Sequence, residues 1–133
     1  PDDLSRIAVP TLVMVGTDDA TTPVDPNVEL AWEHSMASPH YRVELVAAAH
    51  QSFTDVCDYQ DTIASLPDAN ALVVAFIDDY AQAGCLPGQM PIERVKELTN
   101  TFAVHFLDSV FGDGEMLTTD TVTMPDDIIY DAK

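Results

Sequence analysis

Ile7-Ala8-Val9-Pro10-Thr11-Leu12-Val13-Met14-Val15-Gly16-Thr17-Asp18-Asp19-Ala20-Thr21-Thr22-Pro23 decides the fold class of this chain. Residues 11–15 form a continuous β-rich apolar run that stops at Gly16. A run apolar on both faces suits a strand buried between two helical layers. Working outward, Asp25-Pro26 opens a helix expected to reach about Ala37, with Asp25 suited to the cap and Pro26 to the first turn. Ser38-Pro39-His40 breaks that helix. Tyr41 to Ala47 then reads as the next strand, with Val43, Leu45 and Ala47 on one face. Strand, helix and strand at this spacing make a βαβ unit, hence a parallel pair with a right-handed crossover.

The rest of the periodic pattern is helical. Residues from about Ser52 to Ser65 form the first such segment. A second opens at Pro67-Asp68 and runs to about Ala83, with Leu72, Val73, Phe76, Ile77 and Tyr80 on one stripe and Gly84 as its stop. Pro91 opens a long helix in which Ile92, Val95, Leu98, Phe102, Phe106 and Val110 recur every three or four residues until Gly112. The class is α/β: two parallel strands at the edge of a sheet plus about four helices. Residues 1–112 carry this pattern, and 113–133 read as an acidic, extended tail. Two parallel strands alone do not make a stable sheet, so partner strands are expected before Pro1, where the chain starts without an initiator methionine.

Composition narrows the function. The chain has 133 residues and a formal charge of −18, from 23 acidic residues against 5 Lys and Arg. So negative a surface repels phosphate backbones and anionic membranes, which argues against a nucleic-acid partner. The acidic doublets Asp2-Asp3, Asp78-Asp79 and Asp126-Asp127 lack the alternating spacing of a calcium loop, and no metal site is expected. No apolar run is long enough to span a bilayer, so no transmembrane segment is expected. The compartment is left open, secreted or cytoplasmic. Cys57 and Cys85 are the only cysteines; two buried free thiols and a single bridge are both open, and no zinc cluster can be completed.

The chemistry-bearing residues lie just past the two strands. Catalytic groups in open α/β sheets gather at the carboxyl ends of strands. Asp18 and Asp19 follow the first strand; His50 follows the second, after Ala48-Ala49. Neighbouring parallel strands lie about 5 Å apart, so loops leaving the same end can bring Asp19 and His50 into hydrogen-bond reach. An aspartate so placed fixes the tautomer of a histidine, which then serves as general base and general acid. The competing reading makes both aspartates ordinary turn residues. Ser52 and Phe53 are candidates to shape a pocket, with helix capping an equal role for Ser52. His34 and His40 read as solvated, and His105 as packed beside the apolar stripe of the last helix.

These residues resemble a known family. Val9-Pro10-Thr11-Leu12-Val13-Met14-Val15-Gly16 followed by Asp19 and Pro23 looks like the acid-bearing strand and loop of α/β-hydrolases. In that pattern the acid stands three residues after the glycine and four before the proline, which selects Asp19 over Asp18. His50-Gln51-Ser52-Phe53-Thr54-Asp55 resembles the histidine loop of platelet-activating-factor acetylhydrolase-like and dienelactone-hydrolase-like esterases, and Glu97-Leu98-Thr99-Asn100-Thr101-Phe102 is similar to their closing helix. The resemblance implies the C-terminal part of an α/β-hydrolase fold, covering roughly residues 7–112. It implies a carboxylic ester hydrolase acting on small or lipid-like esters, with Asp19 and His50 as two members of a triad and no cofactor. No serine here has the G-x-S-x-G context of the family's nucleophile, which belongs upstream in this fold. The chain alone is therefore expected to be inactive and to need the N-terminal remainder. The alternative is a non-catalytic, acidic binding module derived from such a fold.

Overall fold

The computed structural model describes residues 3–120 and 124–133. Its centre is a three-stranded sheet in the order β1-β2-β3. β1 is Thr11–Gly16, β2 is His40–Leu45 and β3 is Ile128–Ala132. β1 and β2 are parallel, with Thr11 opposite His40 and Gly16 opposite Leu45. β3 runs antiparallel to β2, with Val43 opposite Tyr130. The helices are α1 (Glu29–His34), α2 (Val56–Ala64), α3 (Ala71–Ala81) and α4 (Ile92–Phe111). Among the described residues the molecule is thus mixed α/β, with an open mixed sheet and four α-helices.

Three sequence expectations are corrected. Among the described residues the sheet has three strands, not two, because parts of the expected tail join the fold: Met116 and Ile128 enter the core and residues 128–132 pair with β2. The tail's apolar patches find the exposed edge of β2 and satisfy its backbone groups. The helix expected from Asp25 to about Ala37 is a wide turn over Val24–Val28 followed by a short α1, because Asp25 holds extended backbone (φ −100°, ψ 124°) just before Pro26. His40, read as solvated, is 1% exposed: it opens β2 and its ring packs 4.5 Å from that of Trp32.

The two faces of β2 are of opposite character. Val43 and Leu45 point toward α4 and form the core with Met90, Val95, Leu98, Phe102, Met116 and Ile128. Each large apolar side chain so buried contributes about 1.5–3 kcal/mol relative to exposure. His40, Arg42 and Glu44 occupy the other face and are also buried. There Arg42 donates to Glu29 of α1 at 2.8 Å and is paired with Glu44 as well. The Arg42–Glu29 ion pair and the Trp32–His40 ring contact both join α1 to β2, whose second face is therefore polar and charged rather than apolar.

The disulfide question also resolves. Cys57 and Cys85 are bonded, which joins α2 to the loop after α3. Neither sulfur is a free thiol.

Candidate active site

The carboxyl ends of β1 and β2 are knitted together by their own backbones. Thr17 donates its N–H to Leu45 O at 3.0 Å, Asp18 donates to Ala48 O at 2.9 Å, and Ala47 donates to Thr17 Oγ1 at 2.9 Å. Gly16 permits this approach: a Cβ there would meet Ala48 O at 2.1 Å. β2 ends in a tight turn closed by Ala48 N–H on Leu45 O, with Ala47 in the left-handed region at φ 61°. The turn delivers His50, which begins a single 3-10 turn, His50–Phe53, at the rim where Asp19 stands.

Asp19 and His50 meet there. His50 Nδ1 lies 2.9 Å from Asp19 Oδ2. An ionised carboxylate only accepts, so Nδ1 carries the proton and, in the neutral ring, Nε2 presents a lone pair. The side chain of Asp19 is 5% exposed and that of His50 is 35% exposed. Asp19 Oδ1 accepts the N–H groups of Thr21 (2.9 Å) and Thr22 (2.7 Å), while Oδ2 also accepts the Thr22 hydroxyl at 2.8 Å. Burial by itself pushes this carboxyl up. The hydrogen bonds from the Thr22 N–H, the His50 ring, the Thr22 hydroxyl and the Thr21 N–H outweigh it and hold the pKa below the ordinary value. Asp19 is therefore an anchored anion. Asp18 is exposed, and its carboxylate accepts a hydrogen bond of 3.3 Å from the Thr17 hydroxyl.

Two hollows share His50 in their walls. One, of about 370 Å³, is lined by Met14, Val15, Val28 and Phe53 beside Asp19 and Thr22. The other, of about 330 Å³, is lined by Asp18, Thr21, Asp79, Gln82 and Gln89 among others. Phe53 thus lines the same hollow as the imidazole. Ser52 does not: it is fully buried, and its hydroxyl accepts the Ala49 N–H at 2.9 Å and leans on Gly84 O at 3.5 Å. That hydroxyl belongs to the scaffold of the histidine turn. The Ser35, Ser65 and Ser109 hydroxyls likewise donate to backbone carbonyls elsewhere. Among the described residues, no group of His, Cys, Asp or Glu side chains is arranged to hold a metal ion, and no helix is long and apolar enough to cross a membrane.

Sequence reasoning overlooked Thr22. Its hydroxyl bonds the same carboxylate oxygen as the imidazole and stands 3.4 Å from Nδ1. The signal was present, since an aspartate followed by Thr at the second and third positions is a composition for side-chain-to-backbone turns. The close approach of Gly16 to Ala48 was overlooked for a different reason: it depends on β2 being the partner of β1. No protein-family model, curated protein or solved structure matches the chain.

Proposed function

We propose that this chain supplies the acid and the histidine of a serine-type carboxylic ester hydrolase, as the resemblance to the C-terminal part of α/β-hydrolases implies. The observation that carries the proposal is the 2.9 Å contact between His50 Nδ1 and a buried, ionised Asp19, with the ring still partly open to a hollow. In this reading His50 Nε2 takes the proton of a serine hydroxyl as its oxygen attacks the ester carbonyl. The leaving alkoxide receives that proton from His50, an acyl-enzyme remains, and water reverses the same steps. Asp19 orients the ring and stabilises the transient imidazolium. The apolar hollow beside Phe53 suits an acyl group, and small or lipid-like esters are the substrate class.

The nucleophile is a residue outside this chain, contributed by the N-terminal remainder of the fold. The outer edge of β1 supports this: among the described residues no strand pairs with it, and such an edge is a template for a further strand. A non-catalytic acidic interaction module is the second reading, but it gives no reason for a carboxylate with four donors to be aimed at one imidazole.

Labelling of the complete protein with a fluorophosphonate tests the proposal. Covalent labelling should be rapid in the parent and slowed by about 10²-fold or more in His50→Ala. Equal labelling of both proteins, or none of the parent, rules the hydrolase reading out.

A further inference from the structure

The turn that carries His50 is braced from one side by α2 and α3, and those helices are poorly held by packing. α2 buries Val56 and α3 buries Ala81, while Leu72, Phe76, Tyr59 and Leu66 are exposed. The ion pairs of Lys96 with Asp58 (2.9 Å) and Asp55 (3.2 Å) link α2 to α4, but all three side chains are solvent-accessible, and such pairs hold little. The covalent restraint is the Cys57–Cys85 bridge.

Cys85 directly follows Gly84, whose backbone packs against the histidine turn. Gln51, next to His50, donates its N–H to Ala83 O at 2.7 Å. Ser52, whose hydroxyl also holds the Ala49 N–H, reaches Gly84 O at 3.5 Å. Gly84 has no room for a side chain: a Cβ would meet Gln51 C and Ser52 N at 2.6 Å. Cys57 Sγ lies 3.8 Å from Gly84 O. The same segment walls the hollow beside the imidazole through Asp79, Gln82 and Ala83. Residues 83–85 therefore form a backbone shelf under residues 50–52, and the disulfide ties that shelf to α2.

We infer that Cys57 and Cys85 are positioning residues for His50, and that their redox state regulates the geometry of the Asp19–His50 pair. The inference rests on that pair being the working part of the site, and it assigns the site a thiol-sensitive control. An external dithiol carries the two electrons and two protons required. The S–S bond breaks, each sulfur becomes a thiol, and the dithiol closes to its own disulfide. With the bridge open, α2 and α3 are left to their weak packing, the shelf moves from Gln51, and the imidazole is freed from its fixed approach to Asp19. The sheet has its own core of Val43, Leu45, Val95, Leu98 and Phe102, which does not include the bridge, so it stays folded.

NMR of the full chain, oxidised, dithiol-reduced and as Cys57→Ser/Cys85→Ser, tests this. In the oxidised protein the His50 Nδ1–H gives a downfield proton signal protected from solvent exchange. Reduction, or the double substitution, should speed exchange of that proton and of the Gln51 amide by about tenfold or more, while the Val13 and Val43 amides keep their protection. Unchanged exchange at Gln51 and His50 overturns the inference. So does loss of protection throughout β1 and β2, since the bridge would then be a staple of the whole fold. If the oxidised protein lacks the downfield signal, the pairing of Asp19 with His50 fails instead; the Gln51 amide then decides the bridge's hold on the turn by the same criterion.

Discussion

Gly16 and Ala48 are in backbone contact: a Cβ on Gly16 would stand 2.1 Å from the Ala48 carbonyl oxygen and 2.5 Å from its carbon. Both obstructing atoms belong to a turn whose carbonyl already accepts the Asp18 N–H at 2.9 Å, so they cannot rotate away as a side chain would. Gly16→Ala should therefore push the two strand ends apart. The expected destabilisation is about 1–3 kcal/mol, the usual range for overpacking, read from the midpoint of urea unfolding. The His50 Nδ1–H signal should vanish with it. A variant with parental stability and an intact signal would show that the contact is not what sets the rim.

Thr22→Val isolates the hydroxyl from the backbone. The Thr22 N–H still reaches Asp19 Oδ1, but Oδ2 loses its 2.8 Å donor. The Asp19 carboxyl then titrates closer to its ordinary value, because burial pushes it up and one of the opposing hydrogen bonds is gone. A depressed folded pKa gives stability that is present above the unfolded value near 3.8 and is lost as pH falls through the folded value. The variant should hold less of it at neutral pH, by about 1 kcal/mol for one hydrogen bond. Carbon-13 titration of the Asp19 carboxyl measures the shift, and Thr22→Ser should restore the parental curve.

His40 sets an acid limit on stability. Its ring is buried against Trp32, its Nδ1 has no hydrogen-bond partner among the described residues, and its pKa is lowered by burial first and by the Lys133 ammonium second. The unfolded chain therefore binds a proton that the folded chain refuses. Stability from the neutral ring is complete above about 6.5 and declines as pH falls from there toward the folded value. The melting temperature should drop across this window, and His40→Phe should flatten the drop. An equally steep profile in the variant would assign the effect to another group.

Arg42 and Glu44 are buried while Glu29 is partly exposed, and the three should behave as one coupled ionic unit rather than as separate residues. Arg42→Met alone leaves the Glu44 carboxylate buried without its partner and should cost about 3–5 kcal/mol. The same change combined with Glu29→Leu and Glu44→Leu should come close to parental stability or exceed it. Denaturant unfolding of the two variants distinguishes a coupled triad from additive surface pairs.

Local residue pattern determined the class, the parallel pairing of Thr11–Gly16 with His40–Leu45, and the placement of Asp19 and His50 at one rim. Each of these follows from short-range rules: apolar runs, a crossover of helical length, and loops at the carboxyl ends of strands. The long helix from Ile92 was legible for the same reason, since its stripe repeats with the helical period. Four features were settled only in three dimensions. The C-terminal segment paired with β2 because that edge was open; nothing in residues 128–132 names its partner 80 and more positions away. His40, His50 and Ser52 have sequence neighbours that do not reveal their burial, which depends on Trp32 of α1 for the first and on Gly84 for the third. Cys57 and Cys85 left both redox states open until α2 and the end of α3 were side by side. Thr22 acquired its role through a carboxylate whose orientation is fixed by a ring on the other strand. Periodicity reports on neighbours within a few residues along the chain, whereas burial, bridging and side-chain partnership are contacts between segments, and those exist only once the sheet has brought the segments together.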